Sequence, residues 1–78
     1  MHNTIELAAL KPGESATIAS VRADRGLSYR FAALGFRVGK HIEVVRQAKF
    51  SGPLHVRIGT TDVMLRRKEA EKITVLTA

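Results

Sequence analysis

A small barrel of five β-strands, with one short helix inserted between the first two long strands, is the fold this sequence predicts. Three observations predict it. Apolar and polar residues alternate in several short runs, the period of a half-buried strand. Turn-forming residues separate these runs, at Gly13, in the segment 47–53 and in "GTT" at 59–61, so the chain reverses often. A single stretch instead carries apolar residues at helical spacing, which marks one amphipathic helix. Five strands in 78 residues favour a barrel over a flat sheet, because closure removes the edges on which other chains pair.

The strands are expected at "SATIASVR" (Ser15 to Arg22), "HIEVVR" (His41 to Arg46), "LHVRI" (Leu54 to Ile58), "DVMLR" (Asp62 to Arg66) and "ITVL" (Ile73 to Leu76). In the third, Leu54, Val56 and Ile58 alternate with His55 and Arg57, so one face is apolar and the other polar.

The helix is expected over about Arg25 to Leu34, where Leu27, Phe31 and Leu34 stand at i, i+4 and i+7 and form the stripe turned to the barrel. Asp24 is the expected N-cap, with Ser28 as a later alternative. Gly35 suits the left-handed stop, and Phe36 after it folds back onto Phe31, as in a Schellman ending. Gly39 then belongs to a tight turn that sends the chain into "HIEVV". Phe31 and Phe36 are therefore read as core.

The length sets one domain over residues 1–78, burying about 60 to 65% of the surface its unfolded chain exposes. There is no cysteine, which excludes a disulfide framework and a thiolate metal site and fits a reducing cytoplasm. The start, "MHNTIELAALKPGES", has no basic region ahead of its apolar residues, so no signal peptide is expected. No apolar run approaches the roughly 18 residues needed to span a bilayer. A soluble cytoplasmic chain is expected, at a membrane only through a partner.

Thirteen Lys and Arg against seven Asp and Glu leave a net charge of +6, which suits an anionic partner without saying which. The one dense basic cluster, "RRK" at 66–68, runs directly into Glu69 and Glu71 and is read as a solvated, partly self-compensating turn. His2, His41 and His55 are the only histidines, and their spacing builds no metal site, so neither metal nor cofactor is expected. No nucleophile motif, phosphate loop or paired carboxylate appears. A barrel this small is filled by its own side chains; a binding module is expected, not an enzyme.

A nucleic-acid-binding or regulatory module is the alternative, since small basic barrels bind single strands through interleaved aromatics and cations. The aromatics are only Tyr29, Phe31, Phe36 and Phe50, and none lies on a predicted strand where bases would stack in succession.

Nearly the whole chain resembles the FeoA family, small cytoplasmic partners of the ferrous iron transporter FeoB. The resemblance rests on "LAALKPGESATI", "LSYRFAALGFRVGKHIEVV", "AKFSGPLHVRI" and "LRRKEAEKITV", in the family's order and spacing. Its recognisable positions are Leu34-Gly35-Phe36, Gly39, Gly52-Pro53-Leu54 and the series from Leu65 through Ala70 to Ile73. Val38 and Lys49 stand where the family usually has proline, and Phe31 where it has leucine. The resemblance implies an SH3-like barrel and a role without catalysis, docking on the cytosolic face of FeoB and supporting Fe(II) uptake.

With Leu27, Phe31 and Leu34 turned inward, steps of about 100° per residue place Arg25, Tyr29, Ala32 and Ala33 on the outer face of the helix. This mildly apolar patch, flanked by Arg25 and Arg30, is the expected partner-binding surface: tyrosine among small neighbours offers grip at low entropy cost, and arginine at its edge suits an acidic surface.

Overall fold

The computed structural model describes residues 3–77. Six antiparallel strands form one sheet in the order β1-β6-β2-β3-β4-β5: β1 (Asn3–Glu6), β2 (Ser15–Val21), β3 (His41–Gln47), β4 (Leu54–Ile58), β5 (Thr61–Leu65) and β6 (Ile73–Thr77). A 3-10 turn, Leu7–Ala9, follows β1. Helix α1 (Arg25–Leu34) joins β2 to β3, and a short α2 (Arg67–Ala70) joins β5 to β6.

The five expected strands are all present, with ends moved by one residue or none, and the helix has the expected bounds. The strand count is corrected from five to six. "NTIE" carries a single apolar residue, Ile5, so no alternation announces β1; it becomes a strand because β6 pairs with it from Asn3↔Thr77 to Glu6↔Thr74. The basic cluster is corrected as well. Residues 67 and 68 open α2 rather than a turn, and Glu69 Oε1 accepts from the Arg66 backbone N–H at 2.9 Å, supplying an acceptor for a donor at the helix start.

Alternation decides which side of each strand is buried. Ala16 and Ile18 of β2, Ile42 and Val44 of β3, the three apolar residues of β4, Leu65 of β5, and Ile73 and Val75 of β6 form one core with Leu7, Leu10, Phe31, Phe36 and Ala70. No polar or charged residue is buried among those described. Register shifts between Ile18 and Ser20 and between Val44 and Arg46 are the irregularities with which a bulge bends a strand and increases its twist.

Asp24, not Ser28, caps α1: its Oδ1 accepts from the Leu27 N–H at 2.8 Å. Of the apolar stripe, Phe31 is buried, while Leu27 and Leu34 are half-buried and packed against the core. The helix ends as expected. Gly35 has φ 94°, the Phe36 N–H donates to Phe31 O at 2.9 Å, and the Gly35 N–H donates to Ala32 O at 3.1 Å, which is the Schellman pair of bonds. The Phe31 and Phe36 rings meet edge to face, centroids 5.4 Å apart, an arrangement the ring quadrupoles favour.

Gly39, at φ 92°, donates its N–H to Ile18 O at 2.8 Å, while the Lys40 N–H closes the turn on Arg37 O at 3.0 Å. The corner is thereby tied to β2. Gly35→Val should destabilise the fold by about 1–2 kcal/mol, because a β-branched residue must enter left-handed space. For a domain of this size that is a drop of roughly 4–8 °C in Tm per kcal/mol. An unchanged thermal melt would show that the helix end can be rebuilt without left-handed geometry.

Candidate partner-binding surface

The outer face of α1 exists as expected. Arg25, Tyr29, Ala32 and Ala33 are all exposed, and Tyr29 is 81% accessible. Arg30 is exposed too, but its guanidinium is engaged by the Glu69 carboxylate of α2. Glu69 therefore bonds the start of its own helix with one oxygen and grips α1 with the other. Arg30 enters any docking surface as a cation already held in place, which lowers the entropy cost of using it. Arg25 is in no ion pair among the described residues.

Gly52 is required for space. A Cβ there would come within 2.7 Å of the Ala48 Cβ and 3.1 Å of Lys49 O. The turn it closes holds Phe50 and Ser51 at φ 60° and 59°, left-handed geometry uncommon for such residues, and leaves Phe50 98% accessible. Among the described residues, the other exposed large apolar side chains are Val38 and Met64.

A cluster that sequence reading missed lies across the β4–β5 hairpin. Arg57 and Asp62 stand directly opposite each other in register, with Arg57 Nε 2.7 Å from Asp62 Oδ1 and Arg57 Nη2 3.2 Å from Oδ2. His55 Nε2 lies 3.0 Å from the same Oδ2. The signal was present in "RIGTTD", where a two-residue turn at Gly59-Thr60 places the flanking residues in cross-strand pairs. The Arg57 hydrogen bond first, and then that of His55, hold the Asp62 carboxyl down from 3.8 to about 2.

A carboxyl whose folded pKa is depressed stabilises the fold above its unfolded pKa and loses that contribution as pH falls. The stability difference between wild type and Asp62→Asn should therefore be steady at neutral pH and vanish between about pH 4 and 2. Urea midpoints across that range test this, and a difference that grows on acidification would contradict it.

Among the described residues no group of three or more His, Cys, Asp and Glu side chains is arranged to hold a metal ion. His41 is exposed at the start of β3 and His55 is occupied by Asp62; His2 lies outside the described residues. No described helix is long and apolar enough to cross a membrane.

A family model of the FeoA domain matches residues 5–76. The chain is 37% identical over 71 residues to an Fe(2+) transport protein A/Fe(2+) transporter FeoB fusion protein of Porphyromonas gingivalis. The match covers 91% of this chain but only 8% of that protein. The solution structure of FeoA from Chlorobium tepidum superposes with a TM-score of 0.85 at 32% identity, covering 95% of this chain and 71% of that one. FeoA of Stenotrophomonas maltophilia, described as an SH3 domain protein, superposes at 0.80 with 30% identity, covering 94% and 89%. A manganese-dependent transcriptional repressor contains the same fold, with a TM-score of 0.90 and 25% identity over all of this chain and 44% of the repressor. A family-model match reaching from Ile5 to Leu76, with superposition on solved FeoA structures, shows that this chain belongs to the FeoA family.

Proposed function

We propose that this chain is an accessory binding protein of a FeoB-type ferrous iron transporter, docking on its cytosolic face and supporting Fe(II) uptake without catalysing a reaction. The observation that carries this is the Porphyromonas gingivalis protein, in which a homologous segment and FeoB share one polypeptide. Covalent linkage keeps two modules at high effective concentration, an arrangement suited to partners that act at one place. The Stenotrophomonas maltophilia relative is described with a suggested role as a bacterial ferrous iron transport activating factor, in the same sense.

The whole chain acts as one SH3-like domain, its six-stranded sheet carrying α1 between β2 and β3. It works in the cytoplasm and reaches the membrane through FeoB. Docking uses Arg25, Tyr29, Arg30, Ala32 and Ala33, where small and aromatic side chains bracketed by arginine suit an acidic partner surface.

Tagged protein expressed with membrane-embedded FeoB should retain it in mild detergent, and deletion should depress ferrous uptake. Failure to retain FeoB, together with unchanged ferrous uptake on deletion, would end this proposal. The nucleic-acid alternative has no support from the aromatics: Phe31 and Phe36 are buried, and Tyr29 and Phe50 stand on a helix and a separate turn. Fluorescence anisotropy with DNA should therefore show only salt-sensitive association, in the roughly 10⁻⁴ to 10⁻⁶ M range of nonspecific binding.

A further inference from the structure

An open groove of about 350 Å³ lies between the end of α1, the start of β3 and the β4–β5 turn. That is the size of a small ligand pocket. Its inner side is apolar: Ile58 is buried, and Leu34 is half-buried against the core. Its outer side carries Arg37, Lys40 and His41, all exposed. No acidic residue lines it.

Elsewhere three arginines are matched with carboxylates, Arg30 with Glu69, Arg57 with Asp62 and Arg67 with Glu71. Among the described residues, Arg37, Lys40 and His41 enter no ion pair. Gly35 and Gly59 leave the opening clear, since a Cβ at either would meet nothing within 4 Å. The groove thus joins an apolar seat to uncompensated positive charge, on a part of α1 distinct from its outer face.

We propose that this groove binds an acidic, extended peptide segment of a protein partner. One apolar side chain packs against Leu34 and Ile58, and carboxylates on either side of it meet Arg37 and Lys40. In an extended chain alternate side chains point the same way, about 6.6 Å apart, so the pattern recognised is acidic-x-apolar-x-acidic. Arg37 offers its carboxylate a planar two-pronged donor and Lys40 a point charge. Nucleic acid fits less well, because no Phe, Tyr or Trp lines the groove and bases would find no stacking platform of the usual kind.

The probe is the capped peptide acetyl-Glu-Ser-Leu-Ser-Glu-amide, titrated into the ¹⁵N-labelled chain. Saturable amide shifts should appear with a Kd below about 1 mM, confined to Gly35, residues 37–41 and residues 59–61. Arg37→Gln with Lys40→Gln should weaken binding at least tenfold while leaving the thermal melt unchanged. Ala32→Glu, on the outer face of α1, should bind the peptide as wild type does, so this site and the FeoB-docking face stand or fall separately. The proposal is overturned if no saturable shift appears, if the peptide with Lys in place of both Glu or an oligo-dT gives the same shifts, or if the double variant binds undiminished.

Discussion

Ala32→Glu should abolish FeoB co-purification and ferrous uptake while changing stability by no more than about 0.5 kcal/mol, as for an exposed site. Ala32 faces solvent in the second half of α1, and glutamate is a good helix former, so the helix itself has little reason to respond. What changes is the surface beside Tyr29: a small apolar contact becomes an extended carboxylate. Against an acidic partner face that introduces repulsion as well as steric obstruction, and like charges placed together across an interface cost several kcal/mol. Tyr29→Ala serves as the neutral companion, removing contact area without adding charge. Circular-dichroism melts establish that both variants fold, and pull-down with uptake assays read function. Two variants that melt normally and still support full uptake would remove this face from consideration and turn attention to the Phe50–Gly52 turn.

Phe31→Ala should destabilise the fold by about 3–5 kcal/mol, the range for removing a buried aromatic and leaving a cavity. Phe31 is 1% accessible and is the one residue of α1 fully committed to the core, while Leu27 and Leu34 only flank it. Its ring also meets Phe36 edge to face, so truncation weakens the hydrophobic contact that accompanies the Gly35 stop. Total stability for a chain of this length is on the order of 4–12 kcal/mol, and this single change removes a large share of it. Phe31→Leu, which keeps a large apolar side chain in the core, should retain most of that stability. Urea denaturation of both variants decides the matter; a loss below about 1 kcal/mol for alanine would mean that α1 is anchored chiefly by its flanking leucines.

Much of the helix and its surroundings was legible because its determinants are local. Asp24 lies three residues from the N–H it accepts, and Gly35 and Phe36 close their bonds within one turn. The outer face follows from angular spacing alone, so Arg25, Tyr29, Ala32 and Ala33 were placed correctly without any tertiary information. The engagement of Arg30 was not legible, because Glu69 is 39 positions away and nothing in the helix sequence points to it. The turn was legible at 47–53, one residue longer than the structure shows because Gln47 ends β3, but its left-handed Phe50 and Ser51 were not, since neither residue favours that geometry.

By itself the sequence determined the period-two strands from Ser15 onward, both ends of α1 and the absence of any thiol chemistry, all consequences of residue type and near-neighbour spacing. Tertiary structure alone decided the sixth strand, the capture of Arg30, the Arg57–Asp62–His55 cluster and the basic groove. Each of these joins groups whose meeting depends on how the sheet is assembled: Asn3 finds Thr77 across the full chain, and Leu34, His41 and Ile58 reach one groove from three different elements. Local propensity is silent on such meetings, because the free energy that selects them comes from burying one shared core and appears only when all six strands are in place.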